Sequence, residues 1–201
     1  MSVLKARSAC SVLRYPYVFA DDGDIYLVPE SGAAGQIQLF RARRLPDDWE
    51  RVSVLFERHR PVDATIVARD GGWWMWAAVA IGYRSPVQHL WLFSAQRLTG
   101  PWTAHPKNPV VSDARRARPA GAPLRIDGRL FRPGQDCTGG YGRRLVFSEV
   151  LTMNAEEYRE CPASVLDPTW MHRCIATHTF SRGRRWQALD GVRQVNRLTW
   201  R

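Results

Sequence analysis

Residues 62–76 read VDATIVARDGGWWMW, and this stretch is typical of a β-hairpin. An apolar run leads to the turn Asp70-Gly71, and a second run rich in tryptophan follows it. Asp-Gly is a strong signal for a two-residue turn, because both residues tolerate the positive φ angles that such turns require. The stretch therefore predicts two antiparallel strands joined at Asp70.

The same pattern is repeated at three other places in the chain. Residues 15–28 contain Asp22-Gly23, residues 120–131 contain Asp127-Gly128, and residues 177–186 form a weaker copy around Gly183. The four turn glycines are separated by 48, 57 and 55 residues. Repeats of roughly 40–50 residues or somewhat more, each with several strands, are typical of β-propeller blades. Asp-Gly turns also occur in other all-β proteins, so chance matches are the alternative interpretation.

We therefore predict an all-β, β-propeller-like fold that forms a single domain over residues 1–201. Four blades are recognisable, at about residues 14–56, 62–103, 109–160 and 167–201. Apolar residues alternate with polar ones in residues 36–43 and 49–56, which predicts strands with one face in water. Residues 1–13 are expected to form a lead-in that could hold one strand, and that strand could complete the fourth blade and close the ring.

The chain is strongly basic, with a formal net charge of +10 from 29 basic and 19 acidic residues. All of the basic residues except Lys5 and Lys107 are arginines, and they lie in short clusters without a nucleic-acid-binding motif. We therefore predict no nucleic-acid partner. Arginine binds phosphate and carboxylate through paired hydrogen bonds, so a sugar phosphate or another anionic ligand is favoured, although solvated surface charge is the simpler interpretation.

Other sequence features exclude several classes of protein. The four cysteines and five histidines show no spacing typical of a zinc site, and we predict no metal and no cofactor. The chain contains no apolar run of about 18 residues, and its N-terminus has no apolar segment long enough for a signal peptide. These features predict a cytoplasmic protein without a membrane span.

Several motifs resemble a known family. Residues 100–110, GPWTAHPKNPV, resemble the blade junction of the five-bladed propeller glycosidases, a clan that includes arabinanases, xylosidases, invertases and levansucrases. Shorter motifs are more closely similar to the propeller domain of plant glucosamine inositolphosphorylceramide transferases and its bacterial relatives: Tyr15-Pro-Tyr-Val-Phe, Val28-Pro-Glu-Ser, Asp63-Ala-Thr, Arg118-Pro-Ala-Gly, Arg132-Pro-Gly-Gln-Asp-Cys and His178-Thr. The resemblance covers about residues 14–191 and implies a five-bladed fold and carbohydrate chemistry.

The resemblance also implies a blade that this sequence does not contain. Relatives usually carry another blade before the Tyr15-Pro-Tyr-Val-Phe motif, with an Asp-Pro-Phe sequence in it. Four blades would be explained by a shortened gene, by an open propeller, or by closure through a partner chain or a second copy in a homo-oligomer.

Candidate site residues follow from placing the repeats in register. Enzymes of the clan use three carboxylates at the axial ends of different blades. The position just before the first strand of each unit holds Tyr15, Asp63, Ala120 and Ile175, so only one of the four is acidic. A second position, seven or eight residues after the turn glycine, holds Glu30, Gln135 with Asp136, and Asp190. We predict Asp63, Glu30 and Asp136 as catalytic carboxylates, and Arg118, Arg132, Gln135 and His178 as substrate contacts.

Three functions remain open at this point, and the third is a biosynthetic enzyme that uses the propeller for unrelated chemistry. The first is a carbohydrate-active or glycan-binding propeller that acts on a glycosylated, anionic metabolite by glycoside hydrolase-like or glycosyl-transfer chemistry. The second is a non-catalytic binding module that has lost the carboxylate set, in which Glu30 and Asp136 brace strands and His178 is structural. Some members of the clan hold an axial cation, where His178 could take part. A pocket with Asp63 as its only acidic group would contradict the hydrolase interpretation.

Overall fold

The computed structural model describes residues 14–31, 34–57, 59–80, 88–183 and 185–195. The described chain is built almost entirely from antiparallel β-strands, so the predicted all-β class is confirmed. The predicted lead-in at residues 1–13, its closing strand, and the end of the fourth unit at residues 196–201 lie outside the described residues. Among the described residues, we find no helix with the length and apolar character needed to span a bilayer.

The first sheet follows the chain without a crossover. Its four strands are β1 (Arg14–Asp21), β2 (Asp24–Glu30), β3 (Gln36–Arg44) and β4 (Asp48–Glu57), and they pair in that order. At the first turn, Asp22 and Gly23 have φ angles of 46° and 82°. Two consecutive residues with positive φ form the type I′ turn that suits the twist of a hairpin. Asp70-Gly71 and Asp127-Gly128 adopt the same backbone and also join paired strands, so the three predicted Asp-Gly hairpins are confirmed.

The second sheet has five strands. These are β5 (Val62–Arg69), β6 (Gly72–Ala78), β7 (His89–Ala95), β8 (Thr103–Ala104) and β9 (Val111–Ser112), in the order β5-β6-β7-β8 with β9 also on β7. The sequence assigned residues 109–112 to the third unit, whereas β9 pairs with the second sheet. The cause is Asn108, whose side chain exchanges two 2.8 Å hydrogen bonds with the backbone of Leu92 and so draws the following residues onto β7.

The third sheet also has five strands, and shorter pairs follow it. The third sheet contains β10 (Arg118–Pro119), β11 (Leu124–Ile126), β12 (Arg129–Asp136), β13 (Arg144–Met153) and β14 (Tyr158–Leu166), in the order β10-β12-β13-β14 with β11 on β12. After a short 3-10 helix, Pro168–Trp170, come β15 (Cys174–Ala176), β16 (Phe180–Arg182), β17 (Gln187–Leu189) and β18 (Val192–Arg193). These last strands form two separate pairs, β15 with β18 and β16 with β17.

Apolar side chains fill the spaces between successive sheets. Residues such as Ile37, Leu39, Ile66 and Phe93 form one buried cluster between the first and second sheets. Trp76, which is fully buried, packs with Leu130 and Val150 in a second cluster between the second and third sheets. A smaller cluster of Ala120, Leu145 and Phe180 joins the third sheet to the last strands. Each sheet therefore packs against the next one along the chain.

Candidate functional site

A cavity of about 960 Å³ lies where the ends of the sheets come together. All three large sheets and the last strands contribute to its wall. Its polar and charged lining includes Tyr15, Glu30, Asp63, Arg118, Tyr141, His178, Arg182 and Asp190. Of the predicted site residues, the structure therefore brings Glu30, Asp63, Arg118 and His178 to one cavity.

Two lining residues occupy equivalent positions in the first and second sheets. Tyr15 and Asp63 have φ angles of 45° and 53°, in the left-handed region that side chains other than glycine rarely adopt. Each lies at a shift in strand register, between Arg14 and Tyr17 in β1 and between Val62 and Thr65 in β5. Such a bulge re-aims a side chain, and here it gives both residues access to the cavity wall. Strained backbone of this kind is concentrated at functional sites.

Asp63 and Glu30 share one arginine. Arg118 Nε donates a hydrogen bond to Asp63 Oδ2 at 2.5 Å, and its Nη2 lies 3.8 Å from Glu30 Oε2. Gln135 Nε2 donates a further hydrogen bond to Asp63 Oδ2 at 3.3 Å. Gln135 is fully buried and absent from the cavity wall, so it braces Asp63 from behind. The Asp63 side chain is 1% exposed, whereas that of Glu30 is 19% exposed and is the more accessible carboxylate.

The environment of Asp63 favours its protonated form. Burial raises the pKa of Asp63 to about 7, because a carboxylate loses its hydration there, and the nearby carboxylate of Glu30 acts in the same direction. The charge and hydrogen bond of Arg118 act against this rise without cancelling it. The two carboxyl groups and the arginine can therefore hold a proton close to neutral pH.

A pair formed by a histidine and a carboxylate lies on another part of the wall. His178 Nδ1 is 2.5 Å from Asp190 Oδ2, and the backbone N–H groups of His178 and Thr179 donate to Asp190 Oδ1 at 3.0 and 2.8 Å. Burial alone would raise the pKa of Asp190, but the hydrogen bonds from His178 and the backbone lower it. Asp190 is therefore a carboxylate that stays ionised. The register of the repeats includes Asp190, but no pattern in the sequence indicates that it pairs with His178.

Tyr141 was missed by the sequence analysis. It lies in the glycine-rich turn after β12, with 57% of its surface exposed, and its ring is 4.8 Å from the guanidinium carbon of Arg118. The ring centroids of Tyr141 and His178 are 5.2 Å apart. A cation over one ring face and an imidazole at the side fix the orientation of the ring. The turn Thr138-Gly-Gly-Tyr-Gly142 is the signal that could have identified an exposed aromatic residue here.

The structure places Asp136 and Arg132 away from this cavity. Asp136 accepts hydrogen bonds from the Thr138 hydroxyl at 2.6 Å and from Arg144 Nε at 2.8 Å. Arg132, which is 1% exposed, is paired with Glu160 at 2.6 Å between β12 and β14. Both side chains form contacts within the third sheet rather than at the cavity.

The arrangement provides the parts of acid–base chemistry at a sugar. Glycoside cleavage requires one group that donates a proton and another that is charged or accepts a proton. Within the part of the chain that the structure describes, the cavity wall holds three carboxyl groups, one histidine and two arginines in different environments. Among the described residues, we find no group of three or more His, Cys, Asp or Glu placed to hold a metal ion.

Comparison with protein families gives one match over nearly the whole chain. The family model described as "Glucosamine inositolphosphorylceramide transferase 1, N-terminal" matches residues 8–200. The chain is 36% identical over 153 residues to glucosamine inositolphosphorylceramide transferase 1 of Arabidopsis thaliana, and 32% identical over 158 residues to that of Oryza sativa subsp. japonica. The alignments cover 74% and 76% of this chain but 20% and 21% of those proteins. The chain thus spans about a fifth of the length of these curated relatives.

Solved structures of glycoside hydrolases resemble the fold. An exo-β-1,3-galactanase from Phanerochaete chrysosporium, solved with β-1,3-galactotriose, gives a TM-score of 0.61 at 10% identity, over 90% of this chain and 44% of that one. Zg3597, a family 117 glycoside hydrolase from Zobellia galactanivorans, gives 0.59 at 15% identity, over 83% and 51%. At such identities the similarity concerns the fold alone. It confirms the predicted β-propeller-like architecture.

Proposed function

The chain belongs to the family of the glucosamine inositolphosphorylceramide transferase N-terminal domain, and on this premise we propose that its cavity binds a glycosylated, anionic metabolite and acts on a glycosidic bond. A carbohydrate-related function is supported by the name of the family and by the glycoside hydrolases that share the fold. Because fold alone does not determine function, the proposal depends on the residues of the site.

One observation carries the proposal. Glu30 and Asp63 come from different sheets and meet at the same guanidinium group, that of Arg118, in a cavity large enough for a sugar. Ligand sites of about 300–1,000 Å³ are typical of small molecules. In this arrangement Glu30 is the carboxylate that can reach a ligand, and Asp63 holds a proton near neutral pH. The pair then acts as the general acid that protonates a departing sugar oxygen.

One arginine of the wall is the basis for proposing an anionic ligand, because the carboxyl groups of the wall offset its other basic side chains. Arg118 is engaged by Asp63, whereas Arg182 is exposed at the cavity and has no carboxylate within 4.0 Å among the described residues. Arginine recognises phosphate through paired hydrogen bonds, so a phosphate or carboxylate on the ligand would be bound at Arg182.

A non-catalytic glycan-binding module is the second candidate, and the burial of Asp63 favours it. A carboxylate that is 1% exposed and hydrogen-bonded by both Arg118 and Gln135 is also what a purely structural role would require. In that case the cavity would bind a glycan without changing it, and replacement of Glu30 would alter affinity alone.

The test combines binding with turnover. The wild type, Glu30→Gln and the control Glu149→Gln are screened by thermal shift against sugars, sugar phosphates and nucleotide sugars, because a ligand of the native state raises the melting temperature. Glu149 is a suitable control, since its carboxylate also pairs with an arginine, Arg129, but lies outside the cavity. Hydrolysis and transfer are then followed with the methyl galactoside, xyloside and glucosaminide, whose alkoxide leaving group needs a proton, and with the 4-nitrophenyl glycosides, whose leaving group does not.

For the proposed function, the wild type and Glu149→Gln turn over at least one methyl glycoside, and Glu30→Gln lowers kcat on it by about 10²-fold or more, because the alkoxide leaving group needs the proton that the acid supplies. Binding without turnover, with an affinity that changes only in Glu30→Gln, would support the non-catalytic module. If a well-folded wild type shows no binding and no turnover, both candidates are contradicted.

A further inference from the structure

His178 and Asp190 form a pair whose geometry goes beyond substrate contact. Both oxygens of Asp190 are occupied, Oδ2 by His178 Nδ1 at 2.5 Å and Oδ1 by two backbone N–H groups. The Asp190 carbonyl also accepts a hydrogen bond from the Thr177 hydroxyl at 2.7 Å. Asp190 is therefore fixed in position, with its charge directed at one ring nitrogen of His178.

This pairing determines which nitrogen of His178 is available. An ionised carboxylate only accepts hydrogen bonds, so the Nδ1 of His178 must carry the proton. In the neutral ring, Nε2 is then left with a lone pair. Among the described residues, Nε2 has no hydrogen-bond partner, and the side chain, 28% exposed, forms part of the cavity wall. A histidine held at Nδ1 by a carboxylate and free at Nε2 has the orientation of a general base.

The ring of His178 is held rigidly by its neighbours. The glycine-rich turn passes so close that a Cβ at Gly142 would lie 2.4 Å from the Cβ of His178. The Gly142 carbonyl accepts a hydrogen bond from the Thr177 N–H at 2.9 Å, which joins this turn to the segment between β15 and β16 that carries His178. The ring of Tyr141, from the same turn, lies against the imidazole at an interplanar angle of 57°. A catalytic group gains most when its position is fixed in advance in this way.

The carboxyl groups of Glu30 and Asp63 lie on a different part of the same cavity wall from His178. Arg118 contacts Asp63 with its Nε and Tyr141 with its guanidinium face, and Tyr141 in turn contacts His178. The cavity therefore presents an acidic pair and an imidazole separated by an arginine and an aromatic ring. Two titratable groups in different environments can act in one reaction as general acid and general base.

We propose that His178 is the general base of the site and that Asp190 is its positioning residue, an inference that rests on the proposed function above. His178 Nε2 accepts the proton of a water or sugar hydroxyl while the oxygen of that group forms a bond to the anomeric carbon. The bond from the anomeric carbon to the leaving oxygen breaks with its electron pair on that oxygen. The leaving oxygen takes the proton held by the Glu30 and Asp63 pair, so protons and electrons balance, and solvent restores both groups.

The test uses the 4-nitrophenyl glycoside that the wild type hydrolyses fastest, with sodium azide as a second nucleophile. The variants are His178→Gln, His178→Ala and Asp190→Asn, and the control is His89→Gln, because His89 hydrogen-bonds Ser112 outside the cavity. We expect the His178 variants to lower kcat by about 10²–10⁴-fold with the glycoside KM little changed. Azide needs no base, so it should restore the rate at least tenfold, with a glycosyl azide as product.

Asp190→Asn should also lower kcat and respond to azide, because it disturbs the orientation of the base without removing the imidazole. A wild-type rate in both His178 variants, or a slow rate that azide leaves unchanged, would overturn the base assignment while the loss of turnover in Glu30→Gln still supports the proposed function. No turnover by the wild type would overturn both.

Discussion

Gly142 determines where the imidazole of His178 can lie. Its φ of +60° falls in the left-handed region, and any Cβ added there would meet His178 at 2.4 Å. We expect Gly142→Ala to lower turnover by about tenfold or more, since a displacement of about 1 Å of a catalytic group can cost 10²-fold. The control is Gly23→Ala, which has φ +82° and no atom within 4 Å of the added Cβ. Both variants carry the backbone penalty of left-handed alanine, about 1–2 kcal/mol.

Melting temperatures measure the backbone penalty of the alanine substitutions, and kcat measures the effect of displacing His178. Similar melting temperatures with loss of turnover only in Gly142→Ala would support a positional role for this glycine. Equal turnover in Gly142→Ala and Gly23→Ala would mean that the ring of His178 tolerates the added methyl group and that its position is not critical.

The sequence identified some of the site at the residue scale, and periodicity explains both its success and its limits. Repeat register pointed to Glu30 and Asp63, and the structure places both at the cavity. The same register could not distinguish Gln135 from Asp136, although successive residues of a strand point to opposite faces. In β12, Gln135 reaches Asp63 while Asp136 turns to Arg144. The role of Tyr141 depends on a loop conformation for which no periodic pattern exists.

At the scale of strands, a buried ion pair connects β12 and β14. Arg132 and Glu160 are 2.6 Å apart, with side chains 1% and 2% exposed, and the Tyr158 hydroxyl donates to Glu160 at 2.5 Å. Burial would raise the pKa of Glu160, but Arg132 and Tyr158 lower it, so the carboxylate is ionised. We expect Glu160→Gln to destabilise the fold by about 3–5 kcal/mol, because Arg132 is left with its charge buried and unpaired.

The matched control for this prediction is Glu149→Gln on the neighbouring strand β13. Glu149 also pairs with an arginine, Arg129, but the side chain of Arg129 is 58% exposed. Exposed ion pairs contribute little to stability, so this variant should unfold at nearly the same denaturant concentration as the wild type. Chemical denaturation of the three proteins provides the measurement. A similar effect of both substitutions would contradict the view that burial gives the pair on β12 and β14 its importance.

The strands themselves were largely predictable, because hairpins are encoded locally. Asp-Gly turns and alternating apolar residues specify β1 to β6 within a few residues of the observed bounds. The edge strand β9 was not predictable in the same way. Its partner is chosen by the side chain of Asn108, which finds the backbone of Leu92 across 16 residues of sequence. Contacts of this kind become visible only when the sheet exists.

For the whole molecule, Asp63 makes stability depend on pH. The pKa of this carboxyl rises from 3.8 to about 7 on folding, chiefly because of burial. A carboxyl group whose pKa is raised by folding makes its full contribution to stability only at a pH below its pKa in the unfolded chain. That contribution is lost as the pH increases from about 4 to 7. Relative to Asp63→Asn, which cannot ionise, the wild type should lose about 1.4 kcal/mol per pH unit in this window, on the order of 4 kcal/mol in total.

Urea denaturation of the wild type and Asp63→Asn from pH 4 to 8 measures this difference, and Asp136→Asn serves as the control. Asp136 is also buried, but hydrogen bonds from Thr138 and Arg144 lower its pKa although burial alone would raise it. Its contribution is therefore present above the unfolded pKa and is lost only as the pH falls further, so the difference between the wild type and Asp136→Asn should stay constant from pH 4 to 7. Parallel stability curves for the wild type and Asp63→Asn would mean that Arg118 keeps Asp63 ionised throughout. The carboxyl pair would then have no proton to donate at neutral pH, and the acid role proposed for it would fail with the same experiment.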